Sequence, residues 1–155
     1  MIFDTQRNQQ IVADLKNVLD QNKKCLVLSE RREHLDVLRY YIKDSIETVI
    51  LAGDLSSAQR KIKMKQIKTG DFQVLLATGQ MVGEGADFDN LDALFLVFPF
   101  SFTGKLIQYI GRIQRGDSHQ KVIYDYRDQK IKFLDDMFKK RLRYYKKNFN
   151  VHMNE

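Results

Sequence analysis

The sequence predicts an α/β fold, a parallel sheet with helices on both faces, and three observations predict it. Short apolar runs alternate along the chain with longer stretches whose apolar positions recur at helical spacing. The runs are almost uninterrupted rather than alternating apolar with polar, which suits strands covered on both sides. A single Pro, only eight Gly and no low-complexity tract argue for regular packed elements instead of a linker or a repeat array. At 155 residues, 43% of them hydrophobic, the chain can bury one core, and a second would leave each half too small. Residues 1–155 are therefore read as a single domain.

Asp4 or Thr5 caps a first helix with Ile11, Leu15, Val18 and Leu19 on one side, ending near Asn22. Cys25 to Leu28 is the first strand, and Ser29 is expected to cap a second helix carrying Leu35, Leu38 and Ile42. Thr48 to Leu51 is the second strand. Gly53 turns the chain into a basic helix from Ser56, with Ile62 and Ile67 inward and Gly70 as its stop. Phe72 to Ala77 is the third strand, followed by the glycine-rich stretch Thr78 to Asn90. Ala93 to Phe98 is the fourth, closed by Pro99. A helix from about Thr103 to Arg115, a strand at Val122 to Tyr124 and a long basic helix from Ile131 to about Asn148 complete the order. In that last helix Leu134, Phe138, Leu142, Tyr145 and Phe149 form a stripe expected to pack on the core. Parallel strands joined by right-handed crossovers gather functional groups at their carboxyl ends.

Composition narrows the function classes. A formal charge of +6 and a pI near 9.4 favour polyanionic partners. The lone Cys25 cannot build a disulfide framework or a multi-thiolate metal site, and the chain reads as cytoplasmic. Met1 to Asp4 does not begin an export signal, and the longest apolar run, Ala93 to Phe98, is too short to span a bilayer. His34, His119 and His152 lack metal or nucleophile spacing and are read as surface residues, so no metal site is expected. The lysines and arginines of the third and last helices, Lys63 and Arg141 among them, read as solvated faces that add sequence-blind affinity if they border a nucleic-acid track.

Two segments carry chemistry. In Gln108-Tyr109-Ile110-Gly111-Arg112-Ile113-Gln114-Arg115, the residues Gln108, Arg112 and Arg115 stand at i, i+4 and i+7, so one helix face offers an amide and two guanidinium forks suited to phosphate oxygens. An exposed arginine pair on a solvated helix has the same appearance. Gly111 costs the helix about 1 kcal/mol relative to Ala, which asks for a reason such as close approach of another surface. The second segment, Ala77 to Phe88, follows a strand, and its glycines let backbone approach a ligand; glycines there also serve simple turns.

Together these segments resemble motifs VI and V of superfamily 2 helicases, and in the same order along the chain. Leu26 to Arg31 is similar to motif IV, and Gly53 to Arg60 resembles the helicase stretch that turns into the next helix. The resemblance identifies the chain as the second, C-terminal RecA-like domain of a DEAD/DEAH-type enzyme. It implies Arg115 as the arginine finger and Arg112 as a second phosphate contact, with Gln108, Gly111, Gly85 and Asp87 at the nucleotide. It also implies Thr78, Ser29, Arg31 and Arg60 as contacts to a nucleic-acid strand; a helix cap explains Ser29 and a structural role explains Arg60 equally well.

There is no Gly-x4-Gly-Lys-Ser/Thr and no acidic Mg²⁺ box in the chain. The resemblance thus implies ATP, with its Mg²⁺, held mainly by an absent N-terminal RecA-like domain in cis or in trans. The run into Val97 to Ser101 resembles DNA helicases of the restriction and repair type more than DEAD-box RNA helicases, so DNA is expected over RNA. The competing readings are a degenerate motor domain that binds nucleic acid or a partner without ATP turnover, and an unrelated doubly wound protein whose arginines bind a soluble phosphorylated ligand.

Overall fold

The structure, a computed structural model, describes residues 1–83, 88, 90–114 and 120–154. The element order is α1 (Thr5–Leu19), β1 (Cys25–Ser29), α2 (Arg32–Ile42), β2 (Thr48–Leu51), α3 (Ser57–Thr69), β3 (Val74–Thr78), α4 (Gly79–Gly83), β4 (Ala93–Leu96), α5 (Gly104–Gln114), β5 (Val122–Asp125) and α6 (Lys132–Asn148). The strands form one parallel sheet in the order β2-β3-β1-β4-β5.

Strand periodicity divides the interior into two layers. Leu26, Leu28, Leu75, Leu94 and Leu96 point to a face covered by α3, α4, α5 and α6. Cys25, Val27, Val74, Leu76 and Phe95, displaced by one residue, point to the opposite face, covered by α1 and α2. Both layers are needed to keep the central strands dry, so continuous apolar runs were the right signature for them.

Local chemistry sets the helix ends. Asp4 caps α1 by accepting from the Arg7 amide at 3.0 Å. Ser56 and Gln59 make a reciprocal capping box on α3, and Gly70 ends it at φ 74. Four expectations are corrected. Ser29 does not cap α2: the N-cap is Arg31, and Ser29 is the last residue of β1. Ile62 is 69% exposed, because the inward side of α3 is set by Lys63, Met64 and Ile67, and Ile62 sits about 100° away from Lys63 around the helix. Lys63 is not a solvated lysine either; its Nζ donates to the Ile50 carbonyl at 2.9 Å, and burial lowers its pKa. His34 is fully buried, with Nε2 3.1 Å from Asn8 Oδ1 and Nδ1 3.3 Å from Ser29 Oγ, whereas His152 is exposed as expected. His119 lies outside the described residues.

The last helix carries a further correction. Arg141, grouped by sequence with a solvated basic face, is 1% exposed and bridges elements. Its Nε and Nη2 donate to Asp125 at 2.7 and 2.9 Å, and Nη1 donates to the Phe100 carbonyl. Tyr145 donates to the same carboxylate at 2.8 Å. This cluster fastens α6 to the end of β5 and to the β4–α5 connection. Phe138 and Tyr145 are buried along the same helix, as its apolar stripe predicts. Among the described residues no helix is long and apolar enough to cross a membrane.

Candidate functional site

The sheet order defines where a ligand can enter. The connection leaving β1 passes to the α1–α2 face, while those leaving its neighbours β3 and β4 pass to the other face. Chain segments that diverge to opposite sides open a crevice at the carboxyl end of the central strand. Two depressions lie there, and Glu30, the first residue past β1, lines both. One is bounded by Thr78 and Gln80 after β3, Gly53 and Asp54 after β2, and Arg32. The other lies against Phe98, Pro99 and Phe100 after β4, with Lys105 and Tyr109 from α5.

Thr78 is half-buried at the strand terminus, in register with Ser29, and faces the first depression. A hydroxyl there, immediately before α4 and near Arg32, suits a phosphodiester oxygen. Arg32 is itself held by Asp36 at 3.1 Å and by Asp54. Arg31 is exposed at the start of α2. Ser29 is not available as drawn from sequence: it is fully buried, accepts from the Arg31 amide at 3.2 Å and lies against His34. Its hydroxyl shapes the turn that presents Glu30 and Arg31. Arg60, half-buried in the first turn of α3, lines neither depression.

On α5, Leu106, Tyr109, Ile110 and Ile113 are buried, which leaves Gln108 exposed and Arg112 half-buried on the outward side. Tyr109 anchors that face to the crevice. A Cβ at Gly79 would lie 3.0 Å from the Tyr109 hydroxyl and 2.6 Å from Glu30 Oε1, so the turn after Thr78 is pressed between these two side chains. Burial raises the Tyr109 pKa, Glu30 raises it further and Arg112 opposes the shift, which keeps the phenol neutral and places all three charges or dipoles within mutual influence. Arg112, near enough to Tyr109 to act on its phenol, is thus the charged group of α5 that lies towards Gly79, whereas Gln108 lines neither depression. Gly111 is open: a Cβ there meets nothing within 4 Å. Gly85, Asp87 and Arg115 lie outside the described residues.

The residues present fit one flank of a nucleotide and not its cradle. Gln108 and Arg112 supply polar edges, but the crevice centre carries the carboxylate of Glu30, which repels a triphosphate. Among the described residues no group of His, Cys, Asp or Glu is arranged to hold a metal ion. Glu30 is the residue that sequence reasoning passed over. Its signal was positional, the first residue beyond the strand at the switch point, and only the strand order identifies which strand that is.

A five-stranded parallel sheet of this order with helices on both faces is a RecA-like fold of the kind found in superfamily 2 helicase C-terminal domains. The chain belongs to the helicase conserved C-terminal domain family, whose model matches residues 10–117. Transcript termination protein A18 of fowlpox virus (strain NVSL) is 27% identical over 138 residues, covering 86% of this chain and 30% of that protein. DEAD-box ATP-dependent RNA helicase 9 of Oryza sativa subsp. japonica is 31% identical over 101 residues, 64% of this chain and 16% of that protein. The crystal structure of T4 UvsW superposes with a TM-score of 0.73 at 18% identity over 96% of this chain and 34% of that one, a likeness of fold. The chain thus spans about a third or less of the length of these relatives.

Proposed function

We propose that this chain is the second motor domain of an ATP-dependent nucleic-acid helicase or translocase, a single domain that works against an N-terminal RecA-like domain carrying the ATP-binding loop. The observation that carries the reading is the contact, at the carboxyl end of the sheet, of Thr78-Gly79 with Tyr109 of α5, whose phenol Arg112 influences. One surface suits a phosphodiester backbone and its neighbour suits the outer oxygens of a nucleotide gripped elsewhere. Arg112 and Arg115 close over that nucleotide, Arg115 as the arginine finger that stabilises charge developing on the transferred phosphoryl group. Gly85, Asp87 and Gly111 line the nucleotide side, and Arg31 extends the strand contact. Opening and closing of the two domains shifts the strand, because Thr78 and the arginine helix move as one rigid edge.

The expectation of DNA over RNA is not supported by the relatives, several of which are named as DEAD-box RNA helicases, and both strands enter the test. The chain is combined with a P-loop RecA-like domain in cis or in trans, and ATPase activity is measured with single-stranded DNA and RNA. Strand-stimulated turnover that falls by about 10³-fold in Arg115→Ala is expected. Strand binding with turnover unaltered by Arg115→Ala would instead support a degenerate binding module, and no salt-sensitive strand binding at all would sink both.

A further inference from the structure

We propose that the depression between the ends of β1 and β4 receives a heteroaromatic base, stacked on the half-buried Phe98 ring with its amine edge donating to Glu30. This inference rests on the nucleic-acid reading above and adds recognition of bases to a site whose other contacts suit only backbone. It starts from a carboxylate in the wrong place for a polyanion. Glu30 is exposed at the centre of the crevice, beside both depressions, where it opposes any phosphate. Water satisfies the exposed carboxylate in the free chain, and a ligand that replaces that water must donate hydrogen bonds; the exocyclic amines of cytosine and adenine and the N1–H and N2–H of guanine are such donors. Thymine offers only one N–H, flanked by two carbonyls that repel the carboxylate.

The walls agree with a planar occupant. Phe98 is half-buried and meets Phe100 edge-on, centroids 6.2 Å apart at 79°, so the two rings present differently oriented surfaces to the depression. Phe100 and Tyr109 are 6% and 5% exposed, so the floor is fixed before anything binds. Lys105 stands at the rim, exposed, where it can meet the phosphate attached to a base lying inside. The volume, about 250 Å³, falls below the roughly 300–1,000 Å³ of pockets that enclose a whole drug-sized ligand, so the site suits a base with its sugar and phosphate outside. Arg141 fixes the wall from behind through the Phe100 carbonyl.

The base can come from the bound strand or from a free nucleotide, and the experiment separates the two. The full chain is titrated by fluorescence anisotropy with 12-nucleotide oligo(dC), oligo(dA), oligo(dT) and an abasic strand of equal charge, and separately with AMP and with ribose 5-phosphate. Expected is binding of oligo(dC) and oligo(dA) roughly tenfold tighter than the abasic strand, with oligo(dT) between them. Glu30→Ala removes the preference over oligo(dT) and leaves abasic binding equal or tighter. Binding of AMP, but not of ribose 5-phosphate, that Glu30→Ala abolishes assigns the base to a nucleotide. Preference among oligonucleotides without AMP binding assigns it to the strand. Equal binding of all four strands, with Glu30→Ala tightening each alike and AMP unbound, overturns the base pocket while leaving the strand reading intact. Failure to bind any strand defeats the reading in "Proposed function", and failure of AMP as well defeats the pocket with it.

Discussion

Two corners of this molecule hold charged side chains at the carboxyl edge of the same sheet, and they use them oppositely. At the β5 corner, Asp125, Arg141, Tyr145 and the Phe100 carbonyl satisfy one another in the interior. At the β1 corner, Glu30, Arg32, Thr78 and Lys105 are exposed or half-buried around open depressions. Charge closed on itself fixes the fold, and charge held open on a rigid rim is what a ligand meets. The β1 corner sits at the point where connections diverge to opposite faces, and the β5 corner sits at the sheet's end, where α6 covers it.

The contrast is broken most severely at the closed corner. Arg141→Ala strands the Asp125 carboxylate, itself 7% exposed, without its ionic partner. Removing one member of such a buried pair costs about 3–5 kcal/mol. Urea denaturation should show a loss of that size, and a loss under about 1 kcal/mol would mean that the cluster does not hold α6. Arg141→Met, which replaces the charge by apolar volume, should remain nearly as destabilised because Asp125 still lacks a counter-charge.

Behind the open corner lies a smaller internal network, and it makes the rim sensitive to acid. Burial, with help from Arg7 and the N-terminal amine, lowers the His34 pKa to about 4 from an ordinary 6.5. The unfolded chain therefore binds this proton more readily than the folded one, so the contribution is complete above about pH 6.5 and is lost as pH falls towards 4. From pH 7 to pH 5 the loss is about 2 kcal/mol. Urea midpoints of the wild type and of His34→Gln, measured at both pH values, test this; a variant that loses as much between pH 7 and pH 5 as the wild type removes His34 from the explanation.

At the rim itself, substitutions should separate binding from stability. Thr78→Ala deletes a half-buried hydroxyl for which neither the strand ladder nor the core is needed, so urea stability changes by about 0.5 kcal/mol or less. Strand affinity falls by roughly 10- to 100-fold, the worth of one hydrogen bond to a charged oxygen at about 1.5–3 kcal/mol. A large stability loss with unchanged affinity would place Thr78 with the closed corner instead.

These two corners also differ in how legible they were. The fold could be read because each strand is a continuous apolar run and each helix stop has its own chemistry, as at Ser56 and Gly70. The motif residues stand out in the sequence because their spacing is local, four residues from Gln108 to Arg112, and their roles belong to the proposal. Arg141 and His34 could not be read, since a basic residue on an amphipathic helix looks solvated until its partner, Asp125 or Asn8, is brought from a distant segment. Ile62 was misplaced for a related reason: Lys63 reaches a β2 carbonyl and so fixes the rotation of α3, a contact between elements that hydropathy does not encode. Glu30 was missed because only strand order marks β1 as the switch strand.

The smallest expected effect is the most discriminating, because it changes sign between the isolated chain and the working assembly. Gly111 lies mid-helix in α5, and a Cβ there meets nothing within 4 Å, so no neighbour in this chain requires a glycine. Gly111→Ala should therefore stabilise the isolated chain by about 1 kcal/mol through helix propensity alone. If the open space beside Gln108 and Arg112 is where a nucleotide or a second domain closes, the same methyl should lower strand-stimulated ATPase once the P-loop domain is supplied. Thermal denaturation of the chain alone and turnover of the pair measure the two halves. A variant that gains stability and keeps full turnover would show that nothing approaches this face closely, and the outward side of α5 would then be a solvated surface like any other.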